Sequence, residues 1–491
     1  MTQTQTQSQT QSQALSQCEA RLTDLIENCE LDEISIADVF ADYIAKDSRF
    51  FTESESWRRF DGKRWTAEGK QPVHYDAIGI TEEIKRLAIK AASALDEKEA
   101  KAVLAAAKKV RSHQKISAFV SIARSMPNLQ GSYEQLDLQR RQLNVSNGIV
   151  DLETGILHKH DPEQFHSHLI DIDYNPDAKC PTWEKTVGSI FQHDESLIDY
   201  VQRSVGYSAT GEVSEQVLFF LYGNGANGKS TFTEIIHQCL GSYAQKAPQC
   251  LLTKKKNDAP PAEVARLQGA RFVAANETEH GTAWAESQLK ELTGGDRITA
   301  RYMRENYFEF APTHSVWVSG NHKPRVNGND NGIWRRMRLI PFTHTFTDEE
   351  KDLKIMEKLE AEKEGILTWI VKGAMKWCAD GLQTPDRVKE TTAAYKREED
   401  RVGNFLADCV VIDDKISAAA SLTATEMYDH YKAHCEDHGL NAFSRPNLQK
   451  QLTERGLITK RSNGQRWVGT RSKTESDWEA EERLIEELNP F

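Results

Sequence analysis

Apolar residues recur at helical spacing over most of the chain up to about residue 128, once a polar tail has been set aside. Within this region the stretch AIKAASALDEKEAKAVLAAAKKV is rich in strong helix formers. One turn signal interrupts this region, and a second lies in the segment that follows it. Asp61-Gly62 lies within WRRFDGKRW, and Asn147-Gly148 lies within LNVSNGIVDLETGILH. Each predicts a β-hairpin, and a helical stretch is predicted from Trp183 to about Gly206.

From Gln216 the pattern changes to short apolar runs that alternate with helical segments. The runs are VLFFLYG, RFVAANE, HSVWVSGN and MRLIPF, and the first three end in polar or glycine residues. This alternation predicts an α/β sheet flanked by helices, with further helices from Asp348 to about Gly381. The remaining pattern, helix, helix and hairpin, predicts a C-terminal winged-helix domain. The fold class is therefore multidomain α/β with a mainly helical N-terminal region.

Composition and charge narrow the class of protein. The chain has 491 residues and a formal net charge of -12, so about two to four domains are expected and generic binding to polyanions is not. None of its eight cysteines forms a C-x-x-C pair, which favours a reducing cytoplasm over a disulfide framework or a zinc ribbon. No apolar run approaches the roughly 18 residues of a membrane span, so no membrane contact is expected.

The stretch LYGNGANGKSTF can be interpreted in two ways. Its glycines fit the dinucleotide-binding pattern G-x-G-x-x-G, but no acidic residue stands between Glu234 and Asp258 to hold a ribose. The same stretch fits the phosphate loop G-x-x-x-x-G-K-S, between an apolar strand and a helix. We therefore predict a site for ATP and Mg²⁺, with Lys229 at the β- and γ-phosphates and Ser230 as a metal ligand. The predicted nucleotide-binding residues are Gly223, Asn224, Gly225, Ala226, Asn227, Gly228, Lys229, Ser230 and Thr231.

Two later strands carry polar residues at their ends. RFVAANETE ends in Glu277 and Glu279, an acidic pair suited to Mg²⁺ ligation, assigned here to Glu277, and to activation of water. HSVWVSGN ends in Asn321, whose amide could orient water at the γ-phosphate. A guanine-specific N-K-x-D loop is not found at NHKP, which argues against a GTPase.

The order of these motifs, followed by GIWRRMRLIPF, resembles superfamily 3 helicases, which are hexameric AAA+ proteins. More closely it resembles the phage and plasmid primase–helicase family, which includes the poxvirus primase–helicase, over about Leu143 to Phe342. The resemblance implies a homo-hexamer moving 3′ to 5′, with Asn321 as the sensor and either Glu277 or Glu279 as general base. It also implies that Arg335 or Arg336 acts as an arginine finger toward the neighbouring subunit, with Arg336 the first choice.

Two basic segments are candidate DNA contacts. The segment between the acidic strand and Asn321 is expected to form a hairpin lining the ring channel, where positive charge suits a phosphate backbone. The predicted winged helix holds eight basic residues and one acidic residue between Arg445 and Lys473. The predicted DNA-binding residues are Lys290, Arg297, Arg301, Arg304, Lys460, Arg461 and Arg466.

These inferences give one domain organisation. The predicted units are a disordered polar tail (1–17), a mainly helical region (18–142), a pre-motor linker or collar (143–205), the helicase domain (206–384), the winged helix (402–473) and an acidic tail (474–491). The expected function is an ATP-dependent DNA helicase, without primase activity, that replicates a phage, plasmid or other mobile element in a bacterial cytoplasm. The alternative is an ATP-dependent replication initiator that melts origin DNA without processive unwinding.

The acidic tail allows two interpretations. From Thr474 it holds seven acidic residues and one arginine and ends in Pro490-Phe491, which resembles the tip of bacterial single-stranded DNA-binding proteins. Such a tip would bind host replication proteins. The favoured alternative is an acidic helix packed on the body through Trp478, Ile485 and Leu488.

Overall fold

The computed structural model describes most of the chain. The described residues are 16–68, 71–248, 251–252, 261–276, 284–301, 307–324, 326, 331–461 and 464–488. Glu277, Glu279 and Arg304 among the predicted site residues, most of the polar tail (1–15) and the last three residues therefore lie outside the description. Among the described residues, no helix is both long and apolar enough to cross a membrane.

The N-terminal region combines helices with a small sheet. Its helices are α1 (16–27), α2 (Glu33–Ile44), α3 (Gln71–Ala92), α4 (Glu97–Val110) and α5 (His113–Ala123). Its strands are β1 (Ser48–Phe51), β2 (Ser56–Phe60), β3 (Trp65–Glu68) and β4 (Gln130–Gly131), in the order β3-β2-β1-β4. β2 and β3 form the hairpin predicted at Asp61-Gly62, where the Asp61 carboxylate accepts hydrogen bonds from the backbone N–H groups of Lys63 and Arg64. An apolar core that includes Leu22, Phe40 and Phe119 joins the helices.

A three-stranded antiparallel sheet follows. It consists of β5 (Gln142–Val145), β6 (Gly148–Asp151) and β7 (Leu157–His158). Val145 pairs with Gly148, so the hairpin is present but its turn is formed by Ser146 and Asn147, one residue earlier than predicted, and Gly148 begins β6. Arg271, which is buried, donates hydrogen bonds to the carbonyl oxygens of Gln142 and Ala209, both at 2.7 Å. Arg271 directly precedes the strand that begins at Phe272. It therefore joins that strand to the three-stranded sheet and to the helix that contains Ala209.

The helical stretch predicted from Trp183 to about Gly206 is confirmed, but two helices occupy it. α6 (Pro181–Ile190) and α7 (Glu195–Thr210) are separated where Gln192 and His193 adopt left-handed conformations, with φ of 54° and 58°. Asp194 then begins α7, since its carboxylate accepts a hydrogen bond from the backbone N–H of Leu197 at 3.1 Å. A local capping group thus overrides a continuous helical pattern.

A five-stranded sheet forms the centre of the molecule, and all its strand pairs are parallel. Its strands are β8 (Leu218–Tyr222), β9 (Ala244–Lys246), β10 (Phe272–Asn276), β13 (Ser315–Gly320) and β14 (Met337–Pro341), in the order β14-β8-β13-β10-β9. Alternate side chains of β8 enter different cores: Phe219 and Leu221 join one cluster, and Leu218 and Phe220 the other. Both faces of the sheet are therefore covered, as the uninterrupted apolar runs require.

Helices and one hairpin surround this sheet. They are α8 (Lys229–Leu240), α9 (Pro261–Ala265), α10 (Glu286–Leu292), the hairpin β11 (Ile298–Ala300) and β12 (Phe308–Phe310), α11 (Asn331–Trp334), α12 (Ile355–Ala361), α13 (Lys363–Asp380) and α14 (Asp386–Glu399). α13 packs on α7, and α14 packs on β14, where the Thr392 hydroxyl accepts a hydrogen bond from the backbone N–H of Leu339. The segment after Pro385 thus contributes to the core of the parallel sheet.

The C-terminal part has its own apolar core, which includes Phe405, Tyr431, Leu452 and Trp467. Its elements are α15 (Arg401–Cys409), β15 (Val410–Ile412), α16 (Ala424–Asp437), α17 (Arg445–Glu454), β16 (Thr459–Arg461), β17 (Gln465–Trp467), β18 (Thr470–Ser472) and α18 (Glu475–Leu488). The order helix, helix, hairpin is present, and β15 pairs with β18 in addition. Ser444 occupies the N-cap position of α17, but its side chain accepts no hydrogen bond from the described first turn.

Candidate nucleotide site

The glycine-rich loop connects the carboxyl end of β8 to the first turn of α8. Gly225, Ala226 and Gly228 adopt left-handed conformations with φ of 95°, 47° and 83°. A Cβ atom on Gly223 would lie 2.2 Å from the Asn227 amide nitrogen and 2.3 Å from the Phe342 carbonyl oxygen. The loop can therefore approach the end of β14 only because position 223 has no side chain.

Lys229 is the first residue of α8, and its side chain turns back into the loop. The residue is 6% exposed, and its Nζ donates hydrogen bonds to the Gly223 carbonyl (2.7 Å), Asn227 Oδ1 (3.0 Å) and Asn321 Oδ1 (3.0 Å). Burial lowers the pKa of Lys229 to about 8. All three ammonium protons are thus directed at oxygen acceptors of the loop and of the residue that follows β13.

Asn227 holds the loop in this shape. Its Nδ2 donates to the Phe342 carbonyl at 3.2 Å while its Oδ1 receives the Lys229 hydrogen bond. The backbone N–H of Phe346 also donates to the Ala226 carbonyl at 2.8 Å. The sequence pattern places Asn227 in the loop but does not indicate this structural role, because its partner Phe342 is 115 positions away along the chain.

Other loop residues remain accessible. Asn224, Ala226 and Ser230 are exposed, and Thr231 is partly buried. Ser230 is the second residue of α8, at the positive end of the helix dipole, where an anion is stabilised. The structure thus brings together the loop, Lys229 and Asn321 among the predicted site residues. β10, which leads to Glu277, lies beside β13 in the sheet, with Asn276 opposite Ser319.

The two candidate finger arginines differ in their surroundings. Arg335 is exposed, whereas Arg336 is 8% exposed and donates to the Gly332 carbonyl at 2.9 Å. Burial, and then the neighbouring Arg335, lower the pKa of Arg336. Both residues precede β14, whose first residue pairs with Leu218 at the start of β8. They therefore lie beyond the amino-terminal ends of the strands, opposite the phosphate loop, and the whole length of β8, about 13 Å over four residue steps, lies between them.

The candidate DNA-contact residues that the structure describes between β10 and β13 differ in their surroundings. Arg301 is exposed at the end of β11, with its guanidinium 4.8 Å from the centre of the Tyr307 ring. Arg297 forms ion pairs with Glu134 (3.6 Å) and Glu309 (3.5 Å), and Lys290 lies in α10, outside the hairpin. Of the predicted contacts described in this segment, Arg301 thus lies beside Tyr307, Arg297 is ion-paired and Lys290 belongs to a helix.

In the C-terminal part, Lys460 and Arg461 are exposed on β16. Arg466 is partly buried and donates to the Ser421 carbonyl at 2.5 Å. Arg471 is paired with both carboxylate oxygens of Asp477, the third residue of α18. The indole N–H of Trp478 donates to the Asp408 carbonyl at 2.9 Å, so the start of the acidic tail is a helix attached to the C-terminal part.

These features define a class: a multidomain α/β protein whose parallel sheet carries a glycine-rich loop at the end of an inner strand. Residues 37–192 match a family model described as D5 N terminal like. Residues 221–336, from the end of β8 to the arginine pair, match the model of a family of unknown function.

Curated viral proteins are similar to this chain at low identity. The "Putative helicase L207/L206" of Acanthamoeba polyphaga mimivirus is 27% identical over 323 residues, which are 61% of this chain and 34% of that protein. The "Putative helicase 022R" of Frog virus 3 is 27% identical over 306 residues, 58% of this chain and 30% of that protein. The "Putative primase C962R" of African swine fever virus is 26% identical over 350 residues, 65% of this chain and 35% of that protein.

The chain thus spans about a third of the length of these relatives. This chain is therefore similar, over part of its length, to viral proteins named putative helicases and putative primases, and residues 37–192 match the D5 N-terminal-like model. They come from viruses of eukaryotes and give no support to the predicted bacterial host. Among solved structures, the C-terminal region of NrS-1 is 9% identical with a TM-score of 0.45, covering 86% of this chain and 96% of that one.

Proposed function

We propose that this chain is an ATP-dependent DNA helicase that works as a superfamily 3 AAA+ hexamer, without primase activity. The observation that carries the proposal is the position of Lys229, whose Nζ joins Gly223 and Asn227 of the loop to Asn321 after β13. The lysine proposed to bind phosphate, Lys229, is thus in direct contact with the amide of the proposed sensor, Asn321. The helicase names of the viral relatives support the same conclusion.

The residues of the loop fit a nucleoside triphosphate with its magnesium ion. Lys229 supplies positive charge, the start of α8 offers backbone N–H groups, and Ser230 offers an exposed hydroxyl. When bound, Mg²⁺ neutralises charge that develops on the phosphates, and Ser230 and Glu277 would hold it. When the phosphate attracts Lys229, the Asn321 amide is released from the ammonium and becomes free to orient the attacking water.

The arginine pair fits a role in a neighbouring subunit. Because Arg335 and Arg336 lie at the opposite end of the strands from the loop of their own chain, they are poorly placed to reach a phosphate bound there. In the proposed ring, the amino-terminal ends of the strands in one subunit face the phosphate loop of the next subunit. Arg335 is the exposed member, so we assign the finger to Arg335, with Arg336 anchoring the turn through the Gly332 carbonyl.

Two surfaces are proposed to contact DNA. Arg301 and Tyr307 would bind a single strand in the ring channel by charge and by base stacking, neither of which depends on sequence. Lys460 and Arg461 on β16 would contact duplex phosphates, as expected for the wing of a winged helix.

The test replaces the loop lysine. Lys229→Ala is expected to lower ATP hydrolysis at least about a hundredfold, because the phosphate charge loses its partner. The matched control is Lys246→Ala, which removes an exposed lysine paired with Glu234 on the edge strand and should hydrolyse normally. Near-normal turnover by a folded Lys229→Ala protein would exclude this site as the ATPase centre.

A forked DNA substrate separates the two candidate activities. A helicase displaces a strand of several hundred base pairs in the presence of ATP. An initiator, the alternative, melts only a short region and releases no long strand. Primer synthesis from nucleoside triphosphates on a single-stranded template would contradict the proposed absence of primase activity.

A further inference from the structure

Three histidines recur at every fourth position in the stretch HYKAHCEDH: His430, His434 and His438. The last two lie at the carboxyl end of α16, where His438 is the C-cap residue. Asp408, near the end of α15, completes a cluster with them. One ligand atom from each of Asp408, His434 and His438 lies within 4.8 Å of the other two.

The spacing of these atoms is close to that of a metal site. His434 Nε2 is 3.0 Å from Asp408 Oδ2, and the two imidazole rings are 4.3 Å apart between centroids. Ligand atoms around a tetrahedral zinc ion, at about 2.0–2.2 Å from the metal, are about 3.4 Å from one another. The cluster therefore needs only small side-chain movements to enclose an ion.

His438 already has the contact that a metal-binding histidine normally makes through its second nitrogen. Its Nδ1 is 2.8 Å from the His434 carbonyl oxygen. Since a carbonyl oxygen can only accept, Nδ1 carries the proton and Nε2 keeps the lone pair that a metal requires. Such a backbone hydrogen bond fixes the tautomer and the ring orientation of a ligand.

The surroundings favour a cation and hold the central ligand in place. The cluster lies at the negative end of the dipole of α16, a helix of 14 residues. The side chain of His434 is 5% exposed and packs edge-on against Phe405, with ring centroids 5.8 Å apart. The Asp408 and His438 side chains are exposed, so an ion can enter from solvent.

We propose that Asp408, His434 and His438 form a zinc-binding site in the C-terminal part of the chain. Two imidazoles and one carboxylate suit Zn²⁺, whereas Mg²⁺ and Ca²⁺ prefer oxygen ligands alone. Three protein ligands leave a fourth position for water. Zinc would bind His434 Nε2 in place of its contact with Asp408, with the imidazole proton shifted from Nε2 to Nδ1 so that the ring stays neutral. It joins α15 to the end of α16 and, through the Trp478 contact with the Asp408 carbonyl, fixes the start of α18.

The test uses the full-length protein, stripped of metal and kept under reductant, in a Zn²⁺ titration against a competing chromophoric chelator. The variants Asp408→Asn and His438→Gln change exposed side chains, so folding is preserved and circular dichroism verifies it. The matched control is His430→Gln, on the same helix, whose imidazole contacts Ser472 instead of the cluster.

The wild type and His430→Gln are expected to bind one zinc ion that Asp408→Asn and His438→Gln bind at least about tenfold more weakly. Zn²⁺, but not Mg²⁺, should raise the thermal unfolding temperature of the first two proteins more than that of the other two. Equal zinc stoichiometry and affinity in all four proteins would overturn the proposal, as would loss of the ion in His430→Gln.

Discussion

At the scale of single residues, Lys229 combines two unfavourable features that a phosphate would relieve. Its ammonium group is nearly excluded from solvent, and its three acceptors are two amide oxygens and a carbonyl, which carry no full charge. This burial lowers its pKa to about 8. A bound phosphate would supply the missing negative charge, so nucleotide binding and protonation of Lys229 should be coupled.

The coupling predicts how ATP affinity depends on pH. Below pH 8 Lys229 is already protonated in the free protein, so affinity should be nearly constant. Above pH 8 the free protein must take up a proton to bind, and the dissociation constant should rise by up to about tenfold per pH unit. A terminal phosphate resembles a phosphate monoester, whose second pKa is about 6, so ATP itself is almost fully ionised above pH 8. Titration of a fluorescent ATP analogue between pH 7 and 9.5 measures the effect.

Lys229→Arg is the control, because a guanidinium stays charged over this range. Its affinity is expected to be lower overall but independent of pH above 8. Parallel pH profiles in the wild type and Lys229→Arg would show that Lys229 is not the group that titrates.

At the scale of elements, α7 and α13 approach each other closely at two glycines. A Cβ atom on Gly206 would lie 2.0 Å from the backbone nitrogen of Ala374. A Cβ atom on Gly373 would lie 2.1 Å from the Gln202 carbonyl oxygen. Backbone meets backbone at this contact, so no side-chain movement can make room. The pair forms the support on which one face of the parallel sheet packs.

Gly206→Ala is therefore expected to lower the free energy of unfolding by about 1–3 kcal/mol or more, since the helices must separate. Gly79→Ala is the matched control, because Gly79 lies in α3 and a Cβ atom there meets nothing within 4 Å. This variant should gain about 0.5–1 kcal/mol from helix propensity. Urea unfolding of the two variants measures both effects, and equal stability would contradict the close approach.

The hairpin β11–β12 gives a second prediction at this scale. Tyr307 is 62% exposed and lies under the Arg301 guanidinium, an arrangement suited to stacking a base. Tyr307→Ala should weaken binding of oligothymidylate by about 1–3 kcal/mol, and Arg301→Ala should also flatten its salt dependence. Fluorescence anisotropy at several salt concentrations provides both values.

Arg297→Ala is the matched substitution in the same hairpin. Because Arg297 is paired with Glu134 and Glu309, its removal should affect DNA binding least. A larger loss of affinity in Arg297→Ala than in Arg301→Ala would show that the hairpin contacts DNA through its other face.

At the scale of the whole molecule, the parallel sheet places the glycine-rich loop and the arginine pair at opposite ends of its strands. The loop follows the carboxyl end of β8, and the arginine pair precedes the amino end of β14. In the proposed ring each site takes its loop from one subunit and its finger from the next. Arg335→Ala should therefore assemble normally but hydrolyse ATP poorly, and mixing it with Lys229→Ala subunits should restore part of the activity.

The control mixture pairs Lys229→Ala with the double variant Lys229→Ala, Arg335→Ala, which offers no interface with an intact loop. Steady-state ATPase rates of both mixtures are compared after cross-linking has verified that subunits exchange. If Arg336→Ala rather than Arg335→Ala supports the rescue, the buried arginine is the finger and must emerge on assembly. Absence of rescue by either variant would contradict a site shared between subunits.

The sequence alone determined the features that depend on neighbouring residues. Asp61-Gly62 and Asn147-Gly148 predict turns because such residues favour turn conformations locally. Both hairpins are found, the second with its turn one residue earlier than predicted. The alternation of apolar strands and helices predicts an α/β sheet, and the parallel sheet is present. The loop 223–228 lies between β8 and α8 as its glycines and Lys229 require.

Only the tertiary structure decided which of the remaining candidates come together. The Lys229–Asn321 hydrogen bond joins positions 92 residues apart, and the burial of Arg336 beside an exposed Arg335 depends on how the turn before β14 packs. Asp408 meets His434 only because α15 packs on α16. These contacts form only when helices and strands pack against one another. The packing is set by apolar residues that are far apart in the chain, so a local sequence pattern does not predict it.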